Sequence, residues 1–193
     1  YTHQMPLFIP LFGFNLLSRG GFYTFILSVM NTNILRYGKS EFLPNAQWLK
    51  AGPLSVCYEA GDLRYLKLGN KEIIRRVYVA VRDQNWGTVA GVISNEQIKQ
   101  NADSFEISYE SIHQQGEIAF VWNALIRGAS NGHITFEMNG EALSSFLRNR
   151  IGFCVLHPIR ECMGVEATIK LVGSSGDQKL FAVEVAPQRV MSG

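Results

Sequence analysis

Cysteine is scarce in this chain of 193 residues: there are three, Cys57, Cys154 and Cys162. An odd, sparse set is a poor disulfide framework. It points to a reducing compartment, and so to a cytoplasmic setting. Charge of one sign is also lacking. The formal net charge is +2, and no run of Lys or Arg exceeds two residues. Nucleic acid and anionic membranes call for a concentrated basic patch, so no nucleic-acid partner is expected. Long hydrophobic runs are missing too. Residues 6–17 and 22–30 are apolar, but each falls short of the ~20 residues that a membrane helix requires. Joined, they would carry Arg19 and the pair Gly20-Gly21 near the bilayer centre, which is costly. A membrane is disfavoured as a partner. A secretory signal is a poor match as well, because the basic start and the small-residue cleavage site are absent.

The sequence also lacks the short signatures of common chemistry. There is no G-x-S-x-G, no glycine-rich phosphate loop, no H-E-x-x-H and no pair of CxxC motifs. Cys154, His157 and Cys162 offer three local ligands, whereas structural zinc takes four in two compact pairs. No metal and no cofactor are expected. Nothing pairs two carboxylates for glycoside chemistry, so no catalytic residue is assigned.

What is present is a globular composition, 47% apolar and 18% charged, in two regions of different texture. Residues 1–45 form an atypical apolar leader. It reads as a membrane-associating segment, as two strands of a larger sheet, or as a segment foreign to the native domain; its break in composition favours the last. Residues 46–193 form the second region, which alternates. In "SFEISYESI", Phe105, Ile107, Tyr109 and Ser111 point one way; in "GEIAFVWNALI", Ile118, Phe120, Trp122, Ala124 and Ile126 share a face. Ile134, Phe136 and Met138 do the same in "HITFEMNG". Period two is the mark of a half-buried strand. Further strands are expected at 54–58, 63–68, 72–82, 167–172 and 180–185, with hairpins at "YEAGDLRY" and "KLGNKE". Short strands at this spacing predict an all-β fold, an antiparallel β-sandwich. Helix is expected at most as a turn or two in "SNEQIKQ", capped by Ser94, and in "EALSSFLRNR".

The stretch "FLRNRIGFCVLHPIREC" (residues 146–162) is the densest in chemistry. Ile151, Phe153 and Val155 fall on one face of a strand, and Gly152, Cys154 and Leu156 on the other. Both faces are apolar, which predicts a central strand covered on both sides, with Cys154 as a small buried hydrophobe. Pro158 ends the strand near His157. Its polar groups, Arg148, Asn149, Arg150 and His157, sit at the two ends, where scaffolds display binding groups. His157 fits a general base or a sugar-hydroxyl contact, and equally a strand-end histidine bonded to a carbonyl. In "EIIRRVYVAVRDQNWGT", Arg76, Tyr78 and Arg82 lie along one side, followed by Trp86 in a loop. Arginine beside an aromatic suits a carboxylate, a sugar or a domain interface. Trp86 can stack on a sugar ring or cover the end of the core.

The strings "AGPLSVCYEAGDLRYLKLGNKEIIRRVYVAVRDQNWGTV" and "FLRNRIGFCVLHPIREC" resemble the N-terminal region of D-apionate lactonases, enzymes of apiose catabolism. The likeness runs from about Leu49 to about Gln188 and leaves out the first 40 or so residues. It implies a β-sandwich that precedes a larger (β/α) barrel, the expected partner on the C-terminal side. Lactone ring opening is then expected on the barrel, with the sandwich inactive alone. A sugar lactone is the implied ligand, and Arg148, Asn149, Arg150, His157, Arg76 and Trp86 are the candidates for contact with it or with the barrel. A non-catalytic carbohydrate-binding or interaction sandwich is the alternative.

Overall fold

Side chains that alternate between apolar and polar suit a sheet with one dry face, and the computed structural model builds the chain that way. It describes residues 33, 34, 38, 40, 43–170, 173 and 176–184. Eleven strands follow in order: β1 (Ala46–Ala51), β2 (Leu54–Glu59), β3 (Asp62–Leu68), β4 (Lys71–Asp83), β5 (Gly91–Gln100), β6 (Phe105–Gln115), β7 (Ile118–Gly128), β8 (Ile134–Ala142), β9 (Arg148–Leu156), β10 (Glu166–Ile169) and β11 (Asp177–Leu180). A four-residue helix, α1 (Ile159–Cys162), follows β9. The strands lie in one unit of the chain, which begins at Pro44. The leader expected at 1–45, with its runs at 6–17 and 22–30, lies outside the described residues save for a few positions. Among the described residues, no helix is long and apolar enough to cross a membrane.

The fold is an all-β, antiparallel sandwich. One sheet has the order β1-β2-β3-β4-β9, the other β5-β6-β7-β8, and β10 pairs with β11 in a separate ribbon. Both large sheets turn one face to a shared core. Leu49, Val56, Tyr58, Leu63 and Val81 enter from the first sheet; Ile107, Tyr109, Phe120, Trp122 and Ile126 enter from the second. Full burial of one such side chain contributes about 1.5–3 kcal/mol. The alternation expected for β6 and β7 is therefore the alternation of the core. Both expected hairpins form. Glu59 pairs with Asp62 across Ala60-Gly61, and Leu68 pairs with Lys71 across Gly69-Asn70. Ala60 and Gly61 both have positive φ, as a primed two-residue turn demands.

Four expectations are corrected. Residues 94–100 make no helix; they belong to β5. The register of β5 on β6 shifts between Ser94 and Gln97, and Asn95 takes φ +55°. This bulge lets Ile93 and Ile98 both face the core, although they are five positions apart. Strict alternation would send them to opposite faces, so the strand hides its period. "EALSSFLRNR" is not helical either: β8 ends at Ala142 and β9 starts at Arg148. Ser144 straps the intervening segment down. Its hydroxyl donates to the Glu117 carbonyl at 2.6 Å and accepts from the Ala119 amide at 3.1 Å. Of the strand expected at 180–185, only Leu180 lies in a strand among the described residues, as the end of β11, whose Asp177 pairs with Ile169. Finally, β9 is not a central strand. It pairs with β4 alone among the described strands and forms the edge of its sheet. Cys154, on the second apolar face of β9, is half-buried and not a core residue.

A candidate binding groove at the β4–β9 edge

The pairing of β9 with β4 sets the outer face of that edge. Tyr78 stands opposite Cys154, Ala80 opposite Gly152, and Arg82 opposite Arg150. A groove of about 440 Å³ runs here, lined by Tyr78, Arg82, Trp86, Arg150, Cys154, Val155 and Leu156.

The loop after β4 holds Trp86 at the rim. Asp83 Oδ1 accepts from the amides of Asn85 at 2.8 Å and Gly87 at 2.7 Å, the side-chain turn that aspartate makes well. The Asp83 amide donates to the Gly87 carbonyl at 3.0 Å. A Cβ at Gly87 would stand 2.5 Å from Asp83 Oδ2, so a side chain there would have to displace the carboxylate that ties the turn. Trp86 takes φ +67° and remains 48% exposed. A bulky residue in that region is strained, and the loop holds it there with its ring beside the groove. Arg82 supports the loop by donating from Nη1 to the Trp86 carbonyl at 3.5 Å and to the Thr88 hydroxyl.

The six residues singled out in the sequence part company here. Trp86 and Arg150 meet in the groove. Arg76 shares the same outer face, but its guanidinium is taken. Its Nη2 and Nε reach Asp62 Oδ2 at 2.6 and 2.7 Å, and it lies 4.1 Å from the centre of the Tyr78 ring. Burial pushes the Asp62 carboxyl up, and the Arg76 charge opposes that shift. Arg148 stands opposite Asp83 at the start of β9, and Asn149 is the extra residue at the irregularity between that pair and Arg82–Arg150. His157 lies past the far end, its ring 5.1 Å from that of Phe181. None of these three lines the groove. Cys154 and Leu156 do, and the alternation from Arg150 onward was the signal that could have found them.

A second cluster has the makings of a nucleophile and a base but is closed to that chemistry. Ser111 Oγ lies 3.2 Å from His113 Nε2, and both residues are buried. The Val89 carbonyl, 2.9 Å from Nδ1, can only accept, so Nδ1 carries the proton. Trp122 Nε1 donates to Nε2 at 3.0 Å. The lone pair that would deprotonate Ser111 is therefore engaged, and the imidazole is a neutral structural bridge.

Burial holds the His113 imidazole below its ordinary value, with the Val89 bond opposing the shift. The unfolded chain takes up this proton near pH ~6.5 and the folded chain does not. Stability is then expected to fall as the pH drops below ~6.5, by at most about 1.4 kcal/mol per pH unit for one group. Asp62, with its raised carboxyl, acts in the opposite sense at lower pH. The readout is therefore the urea midpoint at pH 7.5 and 5.5 in wild type and His113→Gln. The variant is expected to show the flatter dependence; equal slopes would refute the assignment.

Comparison with known proteins identifies the family of this chain. The family model for the D-apionate lactonase N-terminal domain matches residues 34–193. D-apionate lactonase of Brucella anthropi is 29% identical over 154 residues, which cover 79% of this chain and 25% of the relative. The chain thus spans about a quarter of the length of that curated protein. No solved structure matches. With most of its length inside the family match, this two-sheet sandwich belongs to the D-apionate lactonase N-terminal domain family.

Proposed function

We propose that the chain is the N-terminal accessory sandwich of a sugar-lactone hydrolase resembling D-apionate lactonase, and that it has no turnover of its own. The observation that carries this reading is coverage: the match takes in 25% of the curated lactonase, so most of that protein lies outside it. The chemistry agrees. Opening a lactone requires water to be activated and the oxyanion to be stabilised. The groove offers guanidinium groups, aromatic faces and a thiol, but neither carboxylate nor imidazole among its lining residues. Guanidinium does not act as a base at neutral pH. Such a groove can bind but is poorly equipped to activate water.

The partner in this reading is a (β/α) barrel later in the parent chain, where the ring-opening site lies. Exposed apolar side chains support a junction on the β9 side. Leu147, Val155 and Leu156 flank or belong to β9, and Ile159, Met163 and Val165 follow it, all more than 40% exposed. Cys57, Cys154 and Cys162 are free thiols, which supports a reducing, cytoplasmic setting. The test is acid release from D-apionolactone, followed in a pH-stat for the 193-residue chain and for its full-length parent. The parent is expected to open the ring and the chain to leave the background rate unchanged. A chain that matches the parent's rate would overturn the proposal. A second reading, a non-catalytic carbohydrate-binding sandwich, is favoured by the half-exposed Trp86 at the groove.

A further inference from the structure

We propose that the β4–β9 groove binds a sugar acid, with Arg82 and Arg150 holding its carboxylate and Trp86 covering its carbon face. The sugar-acid class rests on the proposed lactone opening, whose product carries a new carboxylate and hydroxyl; the carboxylate site itself rests on the arrangement of charge.

Arg82 and Arg150 stand directly opposite each other across two antiparallel strands, and both line the groove. Like charges in that position repel and destabilise the pairing. Three other arginines of this sheet are neutralised: Arg64 by Glu59, Arg75 by Glu72 and Arg76 by Asp62. Neither Arg82 nor Arg150 joins an ion pair among the described residues. The nearest carboxylate along the chain, Asp83, turns Oδ1 to the amides of its own loop. Arg82 directs Nη1 to the loop, and Arg150 directs Nη2 to the Phe153 carbonyl at 3.0 Å. A guanidinium has five N–H donors in a planar fork, so each keeps donors for the groove. Two such forks facing one space fit an anion, and a carboxylate is the planar anion they match best.

Trp86 selects what carries that carboxylate. Its loop holds a strained backbone conformation with the ring half exposed, and an indole face is suited to the C–H face of a polyol or sugar ring. The groove volume of about 440 Å³ lies within the range of small-molecule sites.

The test titrates D-gluconate into the 193-residue chain and into the full-length parent at low ionic strength, by calorimetry and tryptophan fluorescence. Sorbitol and sodium acetate serve as controls. Saturable binding of gluconate to both proteins is expected, at least tenfold tighter than sorbitol or acetate. Arg150→Gln is expected to weaken it at least tenfold, and Trp86→Phe to remove the fluorescence change, with circular dichroism unchanged in both. No saturable binding, equal binding of sorbitol, or an unchanged affinity in folded Arg150→Gln would each overturn the proposal. Binding by the chain but not by the parent would also overturn it, because an acidic side chain of the parent would then occupy the arginines. Lactone hydrolysis by the same parent preparation is measured alongside. An active parent that binds no gluconate defeats the groove and leaves the accessory role standing.

Discussion

Trp122→Ala is expected to destabilise the sandwich by about 3–5 kcal/mol, the usual cost of truncating a buried tryptophan. Trp122 is 4% exposed and packs beside two aromatics of its own sheet, Tyr109 and Phe136. Its ring meets that of Tyr109 edge-on at 5.3 Å and lies 6.5 Å from that of Phe136. Truncation removes this packing and also strips the donor from His113 Nε2. Trp122→Phe separates the two effects. It keeps most of the apolar volume and removes the indole donor, while the Ser111 hydroxyl stays 3.2 Å from His113 Nε2 and can donate in its place, so the loss is expected to be about 1 kcal/mol beyond the packing change. Urea unfolding of the three proteins at pH 7.5 measures both quantities. An alanine variant within ~1 kcal/mol of wild type would mean that the surrounding side chains collapse into the space, which close-packed interiors do only in part.

Gly52→Ala is expected to cost about 2–4 kcal/mol, from backbone strain and steric overlap together. Gly52 has φ +53° in the two-residue turn between Ala51 and Leu54. Its amide donates to the Asp103 carbonyl at 2.8 Å, and a Cβ would stand 2.2 Å from the Ser130 carbonyl oxygen. The turn is thus wedged among the β5–β6 and β7–β8 loops, where backbone, not a flexible side chain, blocks the methyl group. Gly69 supplies the control. Its φ is +59°, and an added Cβ meets nothing within 4 Å, so Gly69→Ala isolates the conformational term at about 1 kcal/mol. Thermal or urea unfolding of the pair reads the steric part as a difference. Equal losses in both variants would show that the three loops are not in register as described.

The candidate site was legible in pieces. Trp86 stood out because an aromatic beside Asp, Asn and Gly belongs to a loop, and Arg150 because strand ends display polar groups. Arg76 looked equivalent to Arg82, since both follow the same alternation on β4. They differ because Asp62, fourteen residues away on β3, claims Arg76, while nothing comparable claims Arg82 among the described residues. A charge's partner is set by which strands become neighbours, and no local pattern records it. Cys154 was read as buried for a related reason: an apolar residue on a strand looks the same whether a further layer covers it or not.

By itself the sequence determined that the chain folds as strands, which face of β6 and β7 is dry, where two hairpins turn, and which family the domain belongs to. Those properties are local, because side-chain direction alternates within one strand and turn residues act within a few positions. Only the tertiary structure decided that β9 is an edge, that a bulge in β5 brings Ile93 and Ile98 to one face, that the Val89 carbonyl holds the proton on His113 Nδ1, and that Arg82 and Arg150 confront each other without an acidic partner among the described residues. Each of these depends on pairing between segments distant in sequence. Hydrogen bonding in a ladder accepts any backbone, so the choice of neighbour is made by packing and charge across the whole sandwich.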